Sequence, residues 1–261
     1  MNTLHGRTAL VTGVSRRQGI GFAVARRLAR AGANLRLTHY SAHDAQQPWG
    51  ADHIDAVIAE LRPDLHPGAS LEHTEANFGD PKEPARVMDW AGPVEILVAN
   101  HARSGGDGTL AQITPQMLEA HWRVDAQSVI LLTQHFAHRF AGGPGRVVWM
   151  SSGQAEGPMP GEVAYAGAKA MLAGLVRTVA DELVDQGILL NAVNPGPVNT
   201  GYLDEATTYR PEQLDAIRAA FPLGRFGEPD DPARLIEFLV SDAGAWVVGQ
   251  TIASEGGFRR W

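Results

Sequence analysis

What most constrains this chain is an alternation. Short apolar runs recur along it, and each is followed by a longer segment whose apolar residues return every three or four positions. Residues 7–12 (RTALVT), 34–38, 71–76, 94–99, 146–150, 188–193 and 248–253 read as strands; 19–31, 51–61, 81–90, 115–140, 162–184 and 231–240 read as helices. In 19–31, Ile20, Val24, Leu28 and Ala31 fall on one face. Strands separated by helices pair in parallel through right-handed crossovers, and the helices then cover both faces of the sheet. The pattern therefore predicts an α/β fold, a doubly wound parallel sheet of about seven strands. No repeat, low-complexity tract or linker interrupts it, so residues 1–261 are expected to form a single domain.

Composition narrows the function. There are 29 acidic residues against 22 Lys and Arg, a net charge of −7, which argues against a nucleic-acid partner. The chain has no cysteine, which removes disulfides, thiolate nucleophiles and Cys-ligated zinc. No uninterrupted apolar run approaches the ~18 residues of a membrane span, and MNTLHGRTALVTG lacks the apolar core and cleavage site of a signal peptide. A cytoplasmic protein with no membrane partner is expected.

The first strand runs into Thr12-Gly13-Val14-Ser15-Arg16-Arg17-Gln18-Gly19-Ile20-Gly21 and then a helix. Gly13 can make the tight turn, Gly19 can let backbone approach a pyrophosphate, and Gly21 can let helix pack closely on strand. The helix start offers free N–H groups to phosphate, the Rossmann arrangement. An NAD-binding site usually carries Asp or Glu at the end of the second strand. Here that region reads Leu37-Thr38-His39-Tyr40-Ser41, with no carboxylate before Asp44. A 2′-phosphate would be tolerated, Arg16 and Arg17 add positive charge, and Ser41 could donate to it. NADP(H) is favoured; the alternative is that both arginines face solvent.

The fifth strand ends in Met150-Ser151-Ser152-Gly153, and Tyr165 and Lys169 follow, four apart on one helix face. A protonated Lys169 should lower the Tyr165 phenol's pKa, so that Tyr165 can give a proton to a carbonyl oxygen as hydride arrives, or remove one in reverse. Ser152 can hydrogen-bond the same oxygen.

Together these pieces resemble the short-chain dehydrogenase/reductase family over nearly the whole chain, most closely its 3-oxoacyl-carrier-protein reductase-like branch. The matching residues are the Thr12–Gly21 loop, Ala99-Asn100-His101-Ala102, Ser152, Tyr165 and Lys169, Asn194-Pro195-Gly196-Pro197-Val198-Asn199-Thr200, and the tail Gly249-Gln250 with Glu255-Gly256-Gly257. The resemblance implies that Asn100 lies beside the cofactor ribose with His101 and Ala102 in the same groove. It implies that Asn77 and Phe78 meet the adenine, and that Pro195, Gly196, Val198 and Thr200 hold the carboxamide and a phosphate. It further implies that Lys169 also bonds the nicotinamide ribose. The loop residues Gly13, Ser15, Arg16, Arg17, Gly19, Ile20 and Gly21, with His39 and Ser41, complete the expected cofactor contacts. Residues 200–222 correspond to a substrate lid; Tyr202, Leu203 and Tyr209 in it, with Gly153 and Gln154, are substrate candidates. Assembly as a homotetramer or homodimer through the two long helices and the last strand is implied as well.

Four positions depart from the family pattern: the glycine loop is two residues longer, Ala99–Ala102 has His and Ala in place of Ala and Gly, Asn77 stands for an Asp, and Asp125 replaces the Asn that is the fourth catalytic member. An altered proton relay through Asp125, whose charge would favour the cationic Lys169, is expected. His101 is expected at the ribose wall or the active-site mouth. His135 and His138 form no site without a third ligand, so no metal is expected. The function expected is an NADPH-dependent reductase acting reversibly on a small-molecule ketone or secondary alcohol. The alternatives are a dinucleotide-binding protein with little catalysis and a non-redox use of the fold.

Overall fold

A computed structural model describes residues 4–208 and 211–259. The strands are β1 (Thr8–Val11), β2 (Asn34–His39), β3 (Leu71–Glu75), β4 (Ile96–Ala99), β5 (Gly145–Met150), β6 (Ile188–Asn194) and β7 (Thr251–Ala253). They form one parallel sheet in the order β3-β2-β1-β4-β5-β6-β7. Strand order reverses between β1 and β4, so the crevice at their carboxyl ends is where such a sheet binds ligands.

The α-helices are α1 (Ile20–Arg30), α2 (Ser41–Asp44), α3 (Ile54–Leu61), α4 (Glu83–Ala91), α5 (Pro115–His121), α6 (Ser128–Arg139), α7 (Val163–Val184), α8 (Leu214–Ala219) and α9 (Asp230–Val240). Strand residues alternate between two cores. Ala9, Val11, Ile96 and Val98 pack with α1, α3 and α9. Leu10, Leu97 and Ala99 pack with α4, α6 and α7. β4 and β5 are buried throughout, which is why their sequences show no polar alternation, whereas the edge strand β7 has none of its residues buried.

The expected helix 115–140 is interrupted. Between α5 and α6, residues Trp122–Gln127 wind as a π segment, in which the Ser128 N–H bonds the Arg123 carbonyl and the Ser128 hydroxyl donates to the Val124 carbonyl at 2.7 Å. Such a segment carries one extra residue and is often found at functional sites. The expected helix 51–61 begins only at Ile54, and the unanticipated α2 follows β2 directly. The expected last strand shortens to three residues, because Gly249 at φ +66° turns the chain just before it.

α7 is long and apolar enough to cross a bilayer. It lies instead against the sheet through Leu172, Val176, Ala180 and Leu183, and most of its remaining residues are only partly covered. In segment 200–222, Leu203, Leu214 and Phe221 are buried, while Tyr209 lies outside the described residues.

Candidate active site

The site is built at the carboxyl ends of the strands. Gly13, at φ +72°, turns the chain out of β1; a side chain there would meet the His101 backbone at 2.9 Å. A Cβ on Gly21 would lie 2.6 Å from the Gly13 carbonyl and 2.7 Å from Asn100 Nδ2. Both glycines are required by close approach, as the loop pattern predicts. Gly19 precedes α1, and no side chain caps the first turn of that helix. Its N-terminal N–H groups and positive dipole end suit a phosphate, so the residues fit a dinucleotide.

The adenosine end differs from the sequence-based expectation. Arg16 is not a free cation: its Nε donates to Asp44 at 3.1 Å, its Nη1 donates to the Thr200 carbonyl at 2.7 Å, and its guanidinium covers Trp49. Burial lowers its pKa, with Asp44 acting against that shift. Arg17 donates from its main chain and side chain to Asp52, which raises its pKa. The charge of both arginines is thus shared with carboxylates that lie outside the glycine loop in sequence. Ser15 Oγ accepts the Tyr40 N–H at 3.0 Å and so ties the loop to the end of β2. His39 is buried, with Nε2 3.2 Å from His73 Nδ1, and desolvation lowers its pKa. Ser41 opens α2. Asn77 holds its own turn by accepting the Gly79 N–H.

Two of the ribose-groove candidates, Asn100 and His101, and the adenine candidate Phe78 have structural roles. The Asn100 amide donates to the carbonyls of Thr12 at 3.0 Å and Gly13 at 3.3 Å, bracing the glycine loop rather than projecting into the groove. His101 turns inward: Nδ1 is 2.7 Å from Thr12 Oγ1, Nε2 is 2.7 Å from Ser128 Oγ, and the ring stacks on Phe78 at 4.0 Å between centroids. It does not reach the active-site mouth. Burial, and then the charge of Lys169, push its pKa down to about 3, so the ring is neutral at ordinary pH. Phe78 is buried under that ring and is a core residue. Ala102 follows His101 and is half-buried.

At the chemical end, Ser152, Tyr165 and Lys169 come together. The Ser152 hydroxyl donates to Met159 Sδ at 3.8 Å and, being close to the Tyr165 phenol, lowers its pKa. Lys169 Nζ lies 5.8 Å from the Tyr165 ring and donates to the Met150 carbonyl at 2.9 Å. The expected lowering of the Tyr165 pKa is reversed. Burial raises it, the Asp125 charge raises it further, and only the nearby Ser152 hydroxyl opposes. Lys169 is itself lowered by burial, while Asp125 pulls it back up. The Asp125 carboxylate therefore acts on both groups through its charge, but makes no direct relay with Lys169. Its Oδ1 accepts the Arg103 N–H at 2.6 Å and its Oδ2 lies 2.7 Å from His121 Nδ1.

Around this centre, Gly153 is buried, and both polar atoms of the Gln154 amide are buried with no hydrogen-bond partner among the described residues. The Tyr202 phenol is pushed up by burial, then by Tyr165 and Glu162, and the neighbouring Leu203 is buried. Among the residues expected to hold the carboxamide, Gly196, at φ +66°, packs so closely that a Cβ there would collide with the Glu255 side chain. Pro195 precedes it, Val198 forms a β-bridge with Gly227, and Thr200 receives Arg16.

Sequence reasoning missed Asp107. Its carboxylate accepts the main-chain N–H groups of Ala164 at 2.9 Å and Tyr165 at 2.8 Å, capping α7 from a distant loop. It also missed Asp44 and Asp52 as partners of the loop arginines. The one signal for Asp107 was an isolated acid in the glycine-rich turn after β4.

Residues 13–259 match the family model described as enoyl-(acyl carrier protein) reductase. The chain belongs to the short-chain dehydrogenase/reductase family. It is 36% identical over 259 residues to the uncharacterized oxidoreductase YjdA of Bacillus subtilis, covering 97% of this chain and 96% of that one. It is 34% identical to an NADPH-dependent aldehyde reductase-like protein of Arabidopsis thaliana, covering 98% and 95%. Among solved structures, it is similar to a short-chain dehydrogenase from Burkholderia cenocepacia in complex with NADP, at 31% identity, TM-score 0.82 and 98% coverage of both chains. A blue fluorescent protein from a metagenomic library in complex with NADPH aligns at 30% identity, TM-score 0.83, covering 98% and 99%. This short-chain dehydrogenase/reductase is therefore an oxidoreductase of a family that uses nicotinamide dinucleotides.

Proposed function

We propose that the protein reduces a ketone to a secondary alcohol with NADPH, reversibly. The observation that carries this reading is the junction of Ser152, Tyr165 and Lys169 at the carboxyl end of β5, beside an uncapped α1 N-terminus. The dinucleotide supplies hydride when bound. Gly13, Gly19 and Gly21 admit its pyrophosphate, and the residues from Pro195 to Thr200 flank its nicotinamide end. Tyr165 gives its proton to the carbonyl oxygen. A phenol raised above its ordinary value stays protonated across neutral pH and is ready as a donor in the reductive direction. Ser152 hydrogen-bonds the same oxygen as its charge develops. Lys169, whose Nζ donates to the Met150 carbonyl, holds its amino group 5.8 Å from the centre of the ring.

NADPH over NADH is supported by the absence of a carboxylate at the end of β2 and by relatives named for, or solved with, NADP(H). Tyr202, Leu203 and the Gln154 amide suit a moderately apolar ketone with a further polar group; a 3-oxoacyl thioester is the alternative. The test is NADPH consumption at 340 nm over a ketone and 3-oxoacyl thioester panel. Tyr165→Phe should lose about 10²- to 10⁴-fold in turnover while still binding NADPH. Turnover undiminished in that variant would overturn the reading.

The cytoplasm is the proposed location. A homotetramer is the proposed assembly, in which the half-covered faces of α7, with Phe238 on α9 and Trp246 beside β7, would be buried. Light scattering on the purified chain tests it; a monomer at micromolar concentration would refute it.

A further inference from the structure

The His121–Asp125 pair is fully buried, lies at the π segment and contacts neither the dinucleotide site nor Lys169 directly. His121 Nδ1 lies 2.7 Å from Asp125 Oδ2, and Nε2 lies 3.1 Å from the Gly105 carbonyl. Each ring nitrogen thus faces an oxygen, one of a carboxylate and one of the main chain. The other carboxylate oxygen of Asp125 accepts the Arg103 N–H at 2.6 Å. The pair therefore grips the loop after β4 at two points, Arg103 and Gly105. Two residues on, Asp107 sits with its Oδ2 4.0 Å from His121 Nε2 and accepts the N–H groups of Gly108, Ala164 and Tyr165. The His121 ring also stands edge-on to the Tyr165 ring, 6.1 Å between centroids.

We propose that His121 and Asp125 are positioning residues: they clamp segment 103–107, and Asp107 passes that placement to the first turn of α7, fixing where Tyr165 stands relative to Ser152. The proposal rests on the ketone-reductase reading for its kinetic consequence. Helix α7 has no cap of its own, since Glu162 at its N-cap makes no side-chain bond to it. Its free N–H groups at the second and third positions are met only by Asp107 among the described residues, so the loop sets their place. Misplacing a catalytic group by about 1 Å can cost on the order of 100-fold in rate. Binding of the dinucleotide, held by the glycine loop at the far side of β1, should not feel the change.

The test uses the full chain with His121→Asn, and Asp125→Asn as a second variant that keeps an oxygen for the Arg103 N–H should the first not fold. Three quantities are read in each folded variant: amide exchange at residues 164 and 165, NADPH Kd, and kcat on whichever ketone the wild type reduces. Faster exchange confined to 103–108 and 163–167, with kcat down about 10- to 100-fold and Kd within about twofold, is expected. Asp107→Asn should give the same pattern, and combining it with His121→Asn should cost little more than either alone, because the two act in series. Wild-type exchange and kcat in the folded variants would overturn the proposal. So would exchange accelerated evenly across all helices, which would mark a general loss of stability. If the wild type reduces no carbonyl, the reductase reading fails, and the local exchange pattern alone decides whether the clamp exists.

Discussion

Arg16 Nη1 donates to the main-chain carbonyl of Thr200 at 2.7 Å, fastening the glycine loop to the segment that follows β6. The same guanidinium donates to Asp44, whose charge offsets the attraction it would otherwise exert on a 2′-phosphate. Asp44→Asn keeps an acceptor and removes the charge. One charge at contact distance in water-like surroundings amounts to about 1 kcal/mol, so the NADPH/NADH affinity ratio should rise about fivefold. Paired fluorescence titrations read it, and a ratio no higher than wild type would refute the argument.

Asp125 raises the pKa of Tyr165. Reduction needs the protonated phenol, which is present below its pKa and lost above it. A raised value therefore extends the reductive plateau upward past the ordinary phenol range near 10. Removing the charge with Asp125→Asn should bring the alkaline fall of kcat to lower pH, whatever it does to the plateau height. Of the other groups around the phenol, Glu162 and Tyr202 keep their surroundings in that variant, while Lys169 loses the carboxylate that raises its own pKa and His121 loses a carboxylate partner. A pH–rate profile whose alkaline limb stays fixed would contradict the stated cause.

Gly21 has no room for a methyl group against the Gly13 carbonyl and the Asn100 amide. Gly21→Ala must push α1 away from the turn, at a cost of about 1–3 kcal/mol. Because the displaced helix carries the phosphate-binding N-terminus, weaker NADPH binding should accompany a lower urea midpoint. A variant with wild-type midpoint and affinity would show that the turn yields without strain.

Asp230 joins α9 to α1. Both its oxygens accept from Arg27 at 2.6 Å, and Arg234 adds a third bond. These bonds, that of Arg27 first, lower its pKa to about 2 from 3.8. A depressed carboxylate contributes stability that is full above the unfolded value near 4 and lost as pH falls through the folded value. Wild type should therefore lose stability more steeply than Asp230→Asn between pH 4 and about 2. At neutral pH the substitution should cost no more than about 1 kcal/mol, because the pair is partly exposed. Chemical denaturation at a series of pH values checks both; parallel curves would refute the assignment.

The parts of this architecture that repeat locally were legible in the sequence. Buried strands and amphipathic helices announce themselves within about ten residues, and Tyr165 and Lys169 share a face because a helix turns as it does. Gly13 and Gly21 stood out because their spacing implies contact between strand and helix. What could not be read depended on partners distant in sequence. Asp107 caps a helix more than fifty residues downstream, and Asp44 and Asp52 claim the two loop arginines. The inward turn of His101 depends on Ser128, which is placed by a helix break that apolar spacing does not encode. The direction of the Tyr165 shift followed from burial first and then from the charge of Asp125, both set by the packed fold.

The π segment at Trp122–Gln127 acts as a phase shifter between the two halves of the long helix. Each residue advances an α-helix by about 100°, so one extra residue rotates everything beyond it by that angle relative to a continuous helix. That rotation lets His121 and Asp125 face the loop after β4 while Ser128 faces His101 beneath β1. Deleting a single residue within 122–127 would restore α phase at a stroke and would force one of these two sets of contacts off its partner. In evolutionary terms the segment, Asp125 apart, should tolerate substitution far better than any change in its length.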